Sequence, residues 1–393
     1  MIVREKYLKS IRSFYDTDLV KVITGVRRCG KSVILETIIS EISKKTDNII
    51  YLNFEKIADF AKASTVNELI NYVKVNRKKG KCYCFFDEIQ EIENWQVAVK
   101  DLRLNECSVF ITGSNSKPLA NEFLTLLSGR FVSFQIRPFI FKEIKEFSDR
   151  QKIEIDVQNY LIWGGFPGRL GYTSLKDTEA YLSELERTIV INDLIKRYRI
   201  KKETIFKKMV NFVLSNNSRI FSIRSIHNYM KQDFPDLAFS TVVSFMQYLK
   251  DAYIIEEIQQ YSRKTKSKLR YYGKFYNCDV GFNSLKVSDN LYDIDHNLEN
   301  IVYNELIYMG YKLEVFDNQG KEIDFIAKKD GKTYYVQVAY SVVDKKAYER
   351  EFKAFADLDN LFQKILITAD AFDYSTSTVR HIKLNDFLML NEL

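Results

Sequence analysis

Apolar and polar positions along this chain fall into blocks whose period changes several times. Leu19-Val20-Lys21-Val22-Ile23-Thr24 is short, β-branched and mostly apolar. Such a run predicts a strand covered on both faces, as in a parallel sheet. Residues 32–39 continue apolar without a breaker and predict a helix. The apolar runs 82–86 and 108–112, and the alternating stretch 131–136, predict three more strands. From residue 203 the spacing becomes helical. Residues 204–214 predict one helix. Ser222 is placed to cap a second, with Ile223, Ile226 and Met230 apolar. A break at Pro235 precedes a third, over 240–249, with Val242, Val243, Met246 and Leu249 as its apolar face. A strand over 253–258 follows. Three helices and then a β-hairpin is the order of a winged helix-turn-helix. Beyond Asn290 the pattern predicts a helix over 298–309 and strands over 312–316, 322–327 and 333–340. A turn at Lys329-Asp330-Gly331 joins the last two of these strands; a helix over 345–355 and a strand over 364–368 come after.

Composition narrows this picture. With 46% hydrophobic and 28% charged residues, the chain builds ordinary cores, and 393 residues allow two to four domains. Only 14 glycines and 4 prolines argue against long flexible linkers. The formal net charge of +7 permits a nucleic-acid partner without requiring one. The five cysteines (Cys29, Cys82, Cys84, Cys107 and Cys278) form no CxxC pair, so neither zinc spacing nor a disulfide framework is expected. A reduced, cytoplasmic protein fits that usage. The first ten residues, MIVREKYLKS, lack an apolar signal core, and no apolar window is long enough to predict a membrane span.

The chemistry begins at Gly25-Val26-Arg27-Arg28-Cys29-Gly30-Lys31-Ser32, between the first strand and the first helix. This is the spacing and context of a phosphate-binding loop. Gly25 and Gly30 let the backbone turn its N–H groups inward around a phosphate, and the helix N-terminus adds partial positive charge. Lys31 is assigned to the β- and γ-phosphates of ATP and Ser32 to Mg²⁺. Val26, Arg27, Arg28 and Cys29 belong to the loop through their backbone. Arg27 and Arg28 are expected to contact a neighbouring subunit or a lid. The second acidic strand ends in Asp87-Glu88: Asp87 is assigned to the Mg²⁺ shell and Glu88 to the attacking water. A polar side chain after the third strand, Asn115 or alternatively Ser114, would orient that water. Arg130 is a candidate arginine finger for a neighbouring subunit, with Arg137 as a second candidate.

These residues together resemble the AAA+ ATPases. More closely, they resemble a prokaryotic AAA+ family that carries a C-terminal restriction-endonuclease-like domain of the PD-(D/E)XK type. The motifs are GVRRCGKS, the acid pair in CFFDEIQEIENW, ITGSN, LSGRFVSFQIRPF, the Gly164-Gly165-Phe166-Pro167 turn, and EIDF followed by QVAY. The resemblance implies a parallel α/β sheet with the ITGSN strand between the P-loop strand and the acidic strand. It implies an ATPase core over 1–140, a helical lid over 141–202 and an endonuclease-like α/β domain over 286–393, with the winged helix read from the helix and strand pattern over 203–285. It also implies a homo-oligomer with ATP sites at subunit interfaces.

Two regions point toward DNA. Arg263, Lys264, Lys266, Lys268 and Arg270, with tyrosines around them, crowd the expected wing, where they would track phosphates. The third helix of that domain carries no arginine, which favours backbone or shape recognition over base reading. A protein contact is the other use of such a wing. In the last domain Glu299, Asp324 and Gln337 occupy the places of a metal-binding nuclease triad. The lysine that should complete it is replaced by Ala339, so this site is expected to be degenerate. The function expected is a Mg-ATP hydrolase that binds or remodels DNA. A nucleotide-dependent switch is the alternative, and an ATP-gated nuclease a further one.

Overall fold

β1 (Val20–Thr24) is buried at every position, Lys21 and Thr24 included. In this computed structural model β1 lies between β4 (Ser108–Gly113) and β5 (Phe131–Gln135). β3 (Tyr83–Asp87) and β2 (Ile49–Asn53) extend the sheet on the β4 side, giving the order β2-β3-β4-β1-β5 with every pair parallel. The described residues are 2–114, 129–172, 174–259, 273–287, 291–318, 321–356, 358 and 361–393. The chain divides into two compact units: Met1–Pro138 with Asp251–Tyr253, and Phe139–Lys250 with Ile254–Leu393.

In the first unit α1 (Glu5–Arg12) precedes the sheet and α2 (Lys31–Ile42) follows β1 directly. α4 (Val66–Asn76), after the short α3 (Ile57–Phe60), starts on a capping box between Thr65 and Glu68. Its Leu69 and Val73 join Trp95, Val99 and Leu102 of α5 (Trp95–Leu104) against Val20, Val22, Phe86, Val109 and Ile111. That apolar layer holds the strands in register, so the loops at their C-terminal ends share one edge.

The second unit opens with α6 (Phe141–Gln151), α7 (Val157–Trp163) and α8 (Leu175–Thr188). α8 runs on into a π-helical stretch, Ile189–Lys196. Between α7 and α8 the glycine pair turns tightly. A Cβ on Gly165 would lie 1.8 Å from the Phe139 carbonyl oxygen, and one on Gly164 would strike the Asp279 carboxylate. Asp279 is the centre of this turn. It accepts hydrogen bonds from the Gly165 N–H at 2.6 Å and the Gly281 N–H at 2.8 Å. Burial pushes Asp279 up to about 6 against those hydrogen bonds.

α9 (Glu203–Ser215), β6 (Ile220–Phe221), α10 (Ile223–Lys231), α11 (Phe239–Asp251), β7 (Ile255–Ile258) and β8 (Gly273–Asn277) come next. Ser222 caps α10, accepting from the Ser225 N–H at 3.0 Å. On α11 the apolar face differs from the expected one: Val242, Phe245, Met246 and Leu249 are buried, whereas Val243 is exposed. Those four keep the spacing of a single helical stripe, which Val243 does not join. β8 is the central strand of a small antiparallel sheet ordered β6-β8-β7.

After the short α12 (Gly281–Ser284), the long α13 (Ile294–Met309) is buried along most of its length. A mixed sheet follows, ordered β13-β12-β11-β10-β9. β9 (Lys312–Asn318), β10 (Lys321–Lys329) and β11 (Lys332–Ala339) are antiparallel. Asp330 and Gly331 both take positive φ, 49° and 78°, which closes the two-residue turn between β10 and β11. α14 (Lys345–Phe355) then carries the chain back to β12 (Gln363–Thr368), parallel to β11. β13 (Val379–Lys383), parallel to β12, is a strand the pattern had not marked. α15 (Leu384–Phe387) ends the fold.

Candidate nucleotide site and a buried acid cluster

The glycine-rich loop leaves β1 at the sheet's C-terminal edge. Gly25 has φ 140°, and a Cβ there would lie 2.1 Å from the Ile136 carbonyl oxygen, so only glycine fits. Gly30 needs its freedom for conformation alone: φ is 100°, with nothing near its missing Cβ. Cys29 is fully buried, which raises its thiol pKa and leaves an inert packing group. Arg27 pairs with Glu55 at 2.8 Å inside the same unit, while Arg28 is exposed at φ 67°.

Lys31 is buried and turned back on the loop. Its Nζ donates to the Gly25 and Val26 carbonyls at 3.2 and 3.4 Å and lies 3.6 Å from Glu88 Oε1. Asp87, at the end of β3, accepts from the hydroxyl of Thr112 and from Asn53 Nδ2 at 3.1 Å. Burial raises its pKa; the Thr112 and Ser32 hydroxyls act in the opposite direction. Ser32 and Asp87 are therefore brought together, as a shared Mg²⁺ shell requires. Glu88 has φ 52°, and its N–H donates to Thr112 Oγ1 at 2.9 Å. Gln90 donates to its carboxylate. Thr112 thus ties the two acids to β4.

Three further residues shape this site without a role assigned from the sequence. Thr112 and Asn53 position Asp87. Arg4 reaches from ahead of α1 and donates to the Cys29 carbonyl at 3.2 Å and the Arg137 carbonyl at 2.8 Å, bracing the loop from beneath. Only Thr112, inside ITGSN, could have been picked out from its place next to the sensor position.

Asn115 lies outside the described residues. Ser114, the alternative, is buried, and among the described residues its Oγ has no hydrogen-bond partner. An orphaned hydroxyl at this edge, a backbone cradle that excludes a Cβ, and an ammonium held by two long hydrogen bonds all fit a bound nucleoside triphosphate with Mg²⁺. When bound, the ion would draw negative charge from the phosphates. This chain's own work is to hold them with Lys31 and the loop amides and to aim Glu88 at water. Arg130 is exposed and precedes Phe131, the register partner of Val20. It therefore sits at the end of the sheet away from its own loop.

Cys82, Cys84 and Cys107 gather in the first-unit core with all three sulfurs within 4.8 Å of one another, although their spacing carried no metal signal. Arg263, Lys264, Lys266, Lys268 and Arg270 lie outside the described residues.

In the second unit Glu299 of α13, Asp324 of β10 and Gln337 of β11 do converge. Gln337 Oε1 accepts from the Asp324 N–H at 3.3 Å, and its Nε2 donates to Glu351 at 2.8 Å. The motif position on β11 holds Ala339, and a lysine reaches the cluster from elsewhere in the chain. Lys274 of β8 enters it, with Nζ 2.6 Å from Glu299, 2.8 Å from Glu322 and 3.2 Å from Asp324. It comes from a different sheet, which sequence order along β11 could not reveal.

The sequence of residues 17–145 matches an AAA domain. Residues 154–289 and 295–387 match two domains of unknown function, DUF8612 and DUF4143. An uncharacterized protein of Haemophilus influenzae is 33% identical over 383 residues, covering 95% of this chain and 94% of that protein. The uncharacterized protein MJ1544 of Methanocaldococcus jannaschii is 32% identical over 375 residues, covering 89% and 82%. Among solved structures, the Aeropyrum pernix ORC1 protein in complex with DNA aligns at TM-score 0.34 and 11% identity, over 74% of this chain and 93% of that one. AMPPCP-bound DnaA from Aquifex aeolicus aligns at TM-score 0.35 and 17% identity, over 64% and 89%. Among the described residues no helix is long and apolar enough to cross a membrane. With a phosphate loop, an acid pair and a parallel sheet that fit an AAA domain, the chain belongs to one family with the Haemophilus and Methanocaldococcus proteins.

Proposed function

We propose that this protein is a Mg²⁺-dependent ATP hydrolase that works on DNA as a homo-oligomer. The observation that carries the hydrolase reading is the set Lys31, Ser32, Asp87, Glu88 and Thr112 at one edge of the sheet. Lys31 would move from the loop carbonyls to the β- and γ-phosphates, while Ser32 and Asp87 hold the ion's shell. Glu88, kept in place through Thr112 and Gln90, would take a proton from the attacking water as it adds to the γ-phosphorus and the bond to the β–γ bridging oxygen breaks, releasing ADP and phosphate. Phosphoryl transfer needs little more than this positioning and charge stabilisation.

The DNA reading rests on two features of the second unit. Its elements run helix, strand, helix, helix, strand, strand from α9 to β8, which favours a winged helix. Lys196, Arg199, Lys201 and Lys202 form an exposed basic run just before α9. The C-terminal order of α13, three antiparallel strands, α14 and β12 favours an endonuclease-like shape.

The test is ATP turnover by wild type and Glu88→Gln, each with and without single-stranded, duplex and branched DNA. Glu88→Gln is expected to bind ATP normally and lose about 100-fold or more of its turnover. Unchanged hydrolysis removes the role given to Glu88. A wild-type rate that ignores every DNA form replaces the DNA-coupled enzyme with a nucleotide switch.

A further inference from the structure

Three carboxylates in the second unit share one ammonium. Lys274 Nζ has three hydrogens, and Glu299, Glu322 and Asp324 take them at 2.6, 2.8 and 3.2 Å. The amine is only 4% exposed, with Asp324 at 6% and Glu299 at 8%. The two buried acids also bond internally, whereas the Glu322 side chain is about one-third exposed. Asp324 Oδ2 accepts from the Val338 N–H at 2.9 Å, and Glu299 also accepts from the Tyr276 hydroxyl. Gln337 has both ends of its amide engaged, its Oε1 by the Asp324 N–H and its Nε2 by Glu351. Ala339 brings no second cation to the site. Lys274 and Tyr276 alternate onto one face of β8, so a single strand supplies both groups that meet Glu299.

A divalent ion in an acid-lined site requires oxygens at about 2.0–2.6 Å and open positions for water or substrate. This cluster offers neither, because its centre is filled by a buried, fully hydrogen-bonded amine. Burial works against the charge on Lys274, but the carboxylates outweigh it and its pKa is raised.

We infer that Lys274 is the resident cation of this cluster, standing where a divalent metal would sit, and that removing its amine uncovers a latent Mg²⁺/Mn²⁺ site made by Glu299, Glu322 and Asp324. Wild-type protein then neither takes up a divalent ion there nor cuts phosphodiesters. The inference is independent of the ATPase reading, which concerns the other unit.

The experiment is a Mn²⁺ titration without nucleotide, following free Mn²⁺ by electron paramagnetic resonance. It compares wild type, Lys274→Gln, and the triple variant Lys274→Gln/Glu299→Gln/Asp324→Asn. Lys274→Gln is expected to bind one extra ion, at least about tenfold more tightly than wild type, and the triple variant to lose it. If Lys274→Gln is unfolded alone, added Mn²⁺ is expected to restore its circular dichroism and thermal transition. A folded Lys274→Gln that binds no more Mn²⁺ than wild type overturns the inference, as does an unfolded one that Mn²⁺ leaves unfolded. Wild-type uptake of Mn²⁺ that Glu299→Gln abolishes overturns it too. So does wild-type nicking of supercoiled DNA that Glu299→Gln abolishes, since Lys274 would then be assisting a working metal site.

Discussion

Lys21 shows how far a single side chain can depart from its sequence neighbourhood. It lies inside the apolar run of β1, yet it is fully buried, donating to Ser108 Oγ at 2.8 Å and the Thr17 carbonyl at 2.9 Å. Burial, with Lys81 adding repulsion, pulls it down to about 7. The unfolded chain keeps this proton up to about pH 10.4 and the folded chain only to about 7. Folding therefore carries a full penalty below pH 7, which fades as pH rises through that window. Lys21→Met is expected to stabilise the protein by about 2 kcal/mol at pH 6, with the gain shrinking toward pH 10. Thermal melts across that range check it, and a gain that does not change with pH assigns the effect to packing. Residues bound to a local motif were readable in advance: Gly25, Lys31, Asp87 and Glu88 all stand where the loop and acid strand require. Arg4 and Lys274 were not. Arg4 acts on backbone carbonyls 25 and 133 residues away, and Lys274 acts on carboxylates of other elements. Nothing periodic marks either one as buried.

At the level of elements, β1, β3, β4 and β5 of the parallel sheet were legible because their apolar runs precede or flank the functional loops, whereas β2 went unmarked. The same rule failed for β13, whose sequence Val379-Arg380-His381-Ile382-Lys383 is too polar to stand out. Its pairing with β12 supplies what its composition lacks. The turn between α7 and α8 is set by contact rather than propensity. Gly165→Ala is expected to destabilise the second unit by about 1–3 kcal/mol, because its Cβ must displace the Phe139 carbonyl. Gly171→Ala, in open space a few residues on, is the matched control. Equal melting temperatures for the two variants would show that the turn yields without strain.

At the level of the molecule, Arg130 decides whether the ATP site is completed in trans. It lies at the sheet end remote from its own loop, where a residue proposed to serve a neighbouring subunit would be placed. Arg130→Ala and Lys31→Ala are each expected to be inactive alone, and a mixture of the two to regain part of the wild-type rate. A mixture as inactive as its components removes Arg130 from catalysis. Asp279 carries a consequence of another kind. The glycine turn at 164–166 is folded around a carboxylate more than a hundred positions later in the chain. During synthesis, α6 and α7 leave the ribosome long before that carboxylate exists, so their turn has no anchor in the nascent chain. The second unit must wait for its middle before it can fix its beginning, a non-local dependence of the kind that slows folding.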